Sequence, residues 1–308
     1  MNMKQILLTF LILIALTGSG HAQQKDFFFT TSDSVQLYVH ISGIGKPCLF
    51  VHGGPGLTSY IFEVTPAAKT IEQRLHMIYF DQRGSGRSAS AKNGDYSIKR
   101  MEKDMDELRE FLKIQRWDVM GHSFGGILMT AYAKDYPEHV RSLMYVHCTL
   151  NMNSSLQSHI DNGLRLLEEQ GDTLKVDQQL PKFDKMIAVH KELAKKGIEY
   201  KIMFNSQAQQ DLEDSLISAS TPKLNQDFQR HVWKMSEYFE NYISYTSKIH
   251  CPVLVISGLK DYAVGPEQYK LWRFPNQKVV LYESAHTSYQ EKPVWFSAVI
   301  FNFMNTLH

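Results

Sequence analysis

The chain has 308 residues, of which 43% are hydrophobic, 12% aromatic and 21% charged, an ordinary globular composition that excludes a disordered or fibrous protein. Its 33 basic residues against 32 acidic ones leave a formal net charge of +1. With no basic run and no repeat of fixed period, that balance argues against nucleic acid or an anionic membrane surface as a partner. The length suits one large α/β domain with an inserted lid, or two small domains.

The first 22 residues read as a targeting segment. Lys4 gives a short positive start, Ile6 to Leu16 is apolar apart from Thr9, and Thr17 to Ala22 ends in small residues. This is the pattern of a secretory signal peptide cleaved after Ala22, with the mature protein starting at Gln23 in a periplasmic or extracellular space. At 1.5 Å per residue the apolar run is too short to cross about 30 Å of hydrocarbon. No cysteine follows it for lipid attachment, and no other segment is long and apolar enough to insert in a membrane after cleavage. The chain has three cysteines, Cys48, Cys148 and Cys251, all at the edges of apolar runs. They read as small buried hydrophobes. An odd number leaves at least one free thiol, and a disulfide between two of them stays open.

Strand and helix patterns then alternate. Phe27 to Ile41 reads as a hairpin, with Val35, Leu37, Val39 and Ile41 alternating. Cys48–Val51 is a short apolar strand followed by a Gly-Pro-rich loop, and Ile61 to Leu75 is helix-like. Met77–Phe80 is a strand ending at Asp81, and Ile98 to Ile114 carries helical periodicity. Asp118–Met120 is a strand, Ile127–Asp135 a helix stopped near Pro137, and Val140–Val146 a strand. Val253–Ile256 and Lys278–Tyr282 are later strands, and Val294 to Leu307 is helix-like. Continuous apolar strands alternating with helices mark a mostly parallel sheet buried on both faces, hence a doubly wound α/β fold. Residues 151–247 break the rhythm. They hold helix patterns at Ser155–Gln170 and Phe183–Lys196 and an aromatic-rich stretch at Gln226–Tyr245, but no core strand. We read this stretch as a helical lid inserted between a first core part, residues 23–150, and a second, residues 248–308.

Three loops carry the chemistry. Gly121-His122-Ser123-Phe124-Gly125 matches G-x-S-x-G between a strand and a helix, the context that exposes a nucleophilic serine on a tight turn. The helix N-terminus beneath it favours developing negative charge. His52-Gly53-Gly54-Pro55-Gly56 follows the neighbouring strand. Acyl transfer passes through an oxyanion that needs two fixed N–H donors. Phe124, just after the nucleophile, and Gly54 are the expected pair, with His52 bracing the loop. A serine hydroxyl needs a base and the base an orienting carboxylate. Asp261 and His286 each follow a strand, in the chain order Ser, Asp, His, where open α/β sheets gather their sites. The catalytic expectation is therefore Ser123, Asp261 and His286. Asp81 and Arg83, in Asp81-Gln-Arg-Gly-Ser-Gly-Arg-Ser88, could touch substrate, but read better as an ion pair holding a loop near the site. Neither H-E-x-x-H nor C-x-x-C appears, nor a dinucleotide fingerprint, so no metal and no cofactor are expected.

The set HGGPG (52–56), DQRGSGRS (81–88), GHSFGG (121–126), GLKD (258–261) and AH (285–286) resembles the proline iminopeptidase branch of the α/β-hydrolase superfamily. The resemblance implies an α/β-hydrolase fold with an inserted helical lid and a cofactor-free serine aminopeptidase that releases an N-terminal residue, often proline, from a short peptide. Members of that branch anchor the substrate's free amino group with lid glutamates, which implies Glu240, within the partial match Glu240-Asn-Tyr242, and Glu237 one turn earlier. The family's elbow is typically Gly-Gly-Ser-Trp-Gly, whereas here His122 and Phe124 flank the serine, as in many esterases. Two alternatives stay open: a carboxylesterase or lactonase acting on small esters or amides without an amine, and a non-catalytic binding protein on the same fold. If the leader reading holds, N-terminal sequencing of the exported protein starts at Gln23; a chain that retains Met1 overturns it.

Overall fold

The computed structural model describes residues 25–219 and 224–307; the leader read in residues 1–22 lies outside them. Its frame is an eight-stranded sheet in the order β1-β2-β4-β3-β5-β6-β7-β8. The strands are β1 (Lys25–Thr30), β2 (Gln36–Ser42), β3 (Lys46–Val51), β4 (Leu75–Phe80), β5 (Trp117–His122), β6 (Val140–Val146), β7 (Val253–Gly258) and β8 (Gln277–Tyr282). β1 and β2 form the expected antiparallel hairpin, β2 joins β4 antiparallel, and every later pairing is parallel.

Alternation along each strand decides which core a residue enters. Leu49 and Val51 of β3, Val119 of β5, and Val253 and Val255 of β7 belong to one cluster. Cys48 and Phe50, Met120, and Leu254 and Ile256 belong to the other. This is why the central strands read as unbroken apolar runs. The first face is covered by α3 (Ile98–Phe111) and α4 (Gly125–Asp135), the second by α2 (Pro66–Ile71) and α10 (Pro293–Met304). All three cysteines are free, Cys48 and Cys148 buried and Cys251 partly so.

The helix expected over Ile61–Leu75 is two short ones, α1 (Tyr60–Glu63) and α2, and Leu75 already belongs to β4. Pro66 cannot donate to a continuing helix, and the Thr65 hydroxyl restarts it by accepting the Ala68 N–H at 3.1 Å. Among the described residues between β6 and β7 there is no strand. This insertion holds α5 (Met152–Glu168), α6 (Lys182–Lys195), α7 (Gln207–Ala219) and α8 (Asp227–Val232). α5 and α6 pack through Ile160, Leu167, Val189 and Leu193. The aromatic-rich stretch Gln226–Tyr245 holds α8 followed by 3₁₀ turns at Ser236–Phe239 and Tyr242–Lys248. Extended backbone at Met235 and Glu240 separates them, and turns Phe228, Tyr238 and Tyr242 together into the core of the first face. α7, a polar helix, escaped the periodicity analysis because its apolar positions are few.

Asp81 and Arg83 are structural, but they are not partners. Arg83 is fully buried between Asp104, at 2.6 Å, and Asp33, at 2.8 Å. Asp81 pairs with Arg87 at 2.8 Å. Arg83→Met strands the buried Asp104 carboxylate beside Arg100 alone, and is expected to lower unfolding free energy by about 3–5 kcal/mol. Urea titration checks this; a loss below about 1 kcal/mol contradicts the buried-pair account.

Candidate active site

β5 ends at His122, and the chain turns into α4 through Ser123. Ser123 has φ +54°, a left-handed backbone that a residue with a side chain seldom adopts. Two hydrogen bonds hold it there: Ser123 N–H to Val146 O at 3.2 Å, and Thr149 N–H to Ser123 O at 3.1 Å. α4 starts hard against the end of β3, where a Cβ on Gly125 would lie 2.3 Å from Val51 O. Only glycine permits that approach, so the motif's last position is steric in origin.

His286 and Asp261 meet from the loops after β8 and β7. Nδ1 of His286 lies 3.0 Å from both carboxylate oxygens of Asp261, and both side chains are buried. Burial by itself would raise the Asp261 pKa. The positive potential of His286 and donated hydrogen bonds from His147 and His286 outweigh it, holding the carboxyl below the usual carboxylate range. Burial likewise opposes charge on His286, but Asp261 prevails and raises its pKa. The His122 ring lies against that of His286, tilted by 47° with centroids 4.7 Å apart, and its Nε2 is 3.0 Å from the His286 carbonyl. Its own pKa is driven well down by burial, so it is a neutral donor. The His286 N–H donates to Met203 O at 3.0 Å, tying the base to the inserted segment.

The Gly-Pro-rich loop runs beside the nucleophile, where a Cβ on Gly53 would lie 2.8 Å from Ser123 Cβ. Gly54 has φ +127° and precedes a cis bond to Pro55. Among the described residues neither the Gly54 nor the Phe124 N–H meets a protein acceptor. His52 braces the loop: its Nε2 accepts the Gln82 N–H at 3.0 Å, and its carbonyl accepts from Gln82 Nε2 at 2.8 Å. Asp81 completes the brace by accepting the Ser59 N–H at 2.7 Å.

Two cavities open on Ser123 and His286. One is a narrow recess of about 40 Å³ bounded by Phe62, His122, Tyr289 and Glu213. The other is a chamber of about 170 Å³ under the insertion, bounded by Met152, Leu156, Met186 and Trp233. Glu237 and Glu240 line neither cavity. Glu237 accepts the Ile98 N–H at 3.3 Å, at the start of α3, and Glu240 is exposed. The carboxylate that does face the serine, Glu213 of α7, was not expected from the sequence, which offers no signal for it beyond one acidic residue on a polar helix. Glu213 is only 7% exposed, and among the described residues its hydrogen-bond partner is Gln290 at 3.3 Å. Burial raises its pKa.

Among the described residues His147, Asp261 and His286 bring possible metal-ligand atoms within 4.8 Å of one another. All three, however, are joined in one hydrogen-bonded chain. A hydroxyl on a strained turn, a carboxylate-held imidazole and two unpaired N–H groups at the same point make up the equipment of acyl transfer.

A family model described as alpha/beta hydrolase fold matches residues 46–293. A proline iminopeptidase of Heyndrickxia coagulans is 26% identical over 86% of this chain and 93% of its own length. Among solved structures, a proline iminopeptidase-related protein from Thermus thermophilus superposes with a TM-score of 0.74 at 18% identity, covering 92% of this chain and 98% of that one. An esterase from Exiguobacterium antarcticum gives 0.69 at 17% identity, covering 92% and 100%.

Only neutral imidazole can accept the serine proton, and the His286 pKa is raised. If Ser123 is the nucleophile, kcat/KM for an uncharged ester falls as pH drops through a midpoint raised above that of a free histidine. A pH–rate profile checks this; a midpoint lowered below that of a free histidine contradicts the assigned environment.

Proposed function

Since the chain belongs to the α/β-hydrolase family, we propose that it is a serine hydrolase of the aminopeptidase kind, releasing an N-terminal residue from short peptides. The observation that carries the choice of substrate is Glu213. A buried carboxylate with one weak partner, facing the cavity of Ser123 and His286, is under-satisfied until a cation arrives. A substrate ammonium supplies that cation and forms a charge-assisted hydrogen bond. Glu213, rather than Glu237 or Glu240, is thus the amine anchor in this reading.

Ser123 Oγ attacks the carbonyl carbon as His286 takes its proton, and the N–H groups of Gly54 and Phe124 receive the oxyanion. The tetrahedral species collapses, the C–N bond breaks, and His286 returns the proton to the leaving amine. Water then attacks the acyl-serine with His286 again as base, freeing the amino acid and restoring Ser123. Asp261 stays ionised and stabilises the imidazolium at each transfer. The chamber walls of Met152, Leu156, Met186 and Trp233 suit an apolar acyl side chain. That same apolar lining favours a second reading, in which the substrate is a carboxylic ester or lactone with no amine. Export through the leader is part of the proposal. Among the described residues no helix is long and apolar enough to cross a membrane.

The test compares proline and alanine arylamides, their N-acetylated forms and a short-chain aryl ester. Ser123→Ala is expected to lower kcat on all turned-over substrates by about 10³-fold or more. Glu213→Gln is expected to lower kcat/KM for free-amine arylamides by about 10- to 100-fold, the worth of a hydrogen bond to a charged group, and to leave the ester within about threefold. Ester turnover without arylamide turnover, or equal use of blocked and free amines, moves the protein to the ester reading.

A further inference from the structure

His147 lies just beyond the end of β6, outside every sequence motif. Its backbone has φ +50°, and its side chain is fully buried against the triad acid. Its N–H donates to Ile256 O at 2.9 Å, which anchors the residue to β7. Its Nδ1 is 3.0 Å from Asp261 Oδ2, and its Nε2 is 2.7 Å from the hydroxyl of Ser288, the first residue of α9 (Ser288–Glu291). A Cβ on Gly258 would lie 3.1 Å from its Cε1, so the glycine of β7 leaves the ring just enough room.

These contacts leave one consistent placement of protons. Asp261 is an acceptor, so His147 Nδ1 must carry a hydrogen. Nε2 then has a lone pair, which accepts the Ser288 hydroxyl. The reverse, an imidazolium donating from both nitrogens, turns the Ser288 hydroxyl into an acceptor. Its own proton then meets no partner among the described residues, and a second cation faces the carboxylate that His286 needs. We propose that His147 is a positioning residue of the triad: a neutral imidazole, held in its Nδ1–H form by Ser288, that donates to Asp261 and keeps the carboxylate aimed at His286. The proposal rests on the serine hydrolase reading of Ser123, Asp261 and His286.

The chain of donors runs Ser288 Oγ–H to His147, His147 Nδ1–H to Asp261, and His286 Nδ1–H to Asp261, with the Val264 N–H giving a further contact to Asp261 Oδ1 at 3.3 Å. A dry carboxylate with several donors stays ionised and cannot rotate without breaking them. Its two imidazoles share one anion but differ in role. Burial drives His147 toward the neutral form, whereas Asp261 holds His286 toward the charged one. The other titratable groups near the pair include His122, tilted against His286, His159, which borders a cavity with His286, and Glu213 and Glu291, both of which favour protonation of His286.

Two measurements test this. The first needs no variant: the ¹⁵N and ¹H signals of labelled histidines in the intact wild-type protein. The expected result is a proton on His147 Nδ1, a bare Nε2, and a His147 that stays neutral across the pH range in which His286 titrates. An Nε2–H form of His147, or a His147 that titrates with His286, overturns the proposal. The second compares kcat and pH profiles of His147→Phe and His147→Gln with wild type and Ser123→Ala. His147→Phe removes the donor at similar volume. It concentrates the Asp261 charge on His286, so kcat is expected to fall by about 10- to 100-fold and the acid limb to move to higher pH. His147→Gln keeps an N–H donor and is expected to recover most of kcat and the wild-type limb. If Ser123→Ala abolishes turnover but His147→Phe stays within about twofold with an unmoved limb, the positioning role fails and the triad stands. If Ser123→Ala leaves turnover intact, the triad reading itself fails.

Discussion

The left-handed backbone of Ser123 is the constraint on which the rest of the site depends. A side-chain-bearing residue at φ +54° is strained by on the order of 1–3 kcal/mol and persists only where its surroundings leave no other choice. Here the surroundings are three adjacent parallel strands. β5 delivers the chain and β6 accepts the Ser123 N–H through Val146. The end of β3 presses against Gly125. The strain lifts the hydroxyl clear of the sheet, leaves the Phe124 N–H without a protein acceptor, and starts α4 beneath both. A parallel sheet suits this because its strand ends point the same way, so the loops after β3, β5, β7 and β8 all arrive at one edge.

Around that turn the protein gathers polar groups in a dry setting; the charged ones are paired, while Gln82 Oε1, Ser284 Oγ, Thr287 Oγ1 and Gln290 Oε1 meet no partner among the described residues. Asp261 is fully buried, yet its donors keep it ionised, and its charge in turn sets the proton affinity of His286. The second imidazole, His147, shares the carboxylate from the other side without competing for a proton. On the opposite flank the Asp81–Arg87 pair and the His52–Gln82 bonds make the loops after β3 and β4 one unit. Backbone donors at Gly54 are therefore presented by a braced loop, as electrostatic stabilisation of an oxyanion requires. Glu213 is the buried carboxylate of the Ser123 cavity, held among the described residues by Gln290 at 3.3 Å, which is why its charge speaks to what the substrate must bring.

The inserted helices contribute walls more than chemistry. Phe124 packs against Phe228 and Tyr238 with ring centroids 5.8 and 5.5 Å away, so the residue after Ser123 also supports the insertion. Met203 accepts the backbone N–H of His286 and lines both cavities. The insertion thus borders His286 directly.

The sequence by itself determined the fold class and placed Ser123, Asp261 and His286 on loops after strands. Those features are written in neighbouring residues. Burial on both faces makes strands continuously apolar, and a tight turn restricts its flanking positions to glycine. It also carried the bracing role of His52. It misjudged the partner of Arg83, because ion pairs join residues far apart in the chain: Asp104 and Asp33 are no closer in sequence to Arg83 than many other acids. It left the aromatic-rich stretch Gln226–Tyr245 undivided, since the spacing of buried aromatics does not reveal where extended residues such as Met235 and Glu240 separate helical turns. Tertiary structure alone decided that Glu213 faces the serine while Glu237 caps α3, and that His147 reaches Asp261. Each is a single polar residue, and its meaning comes from which side of an element packing turns inward.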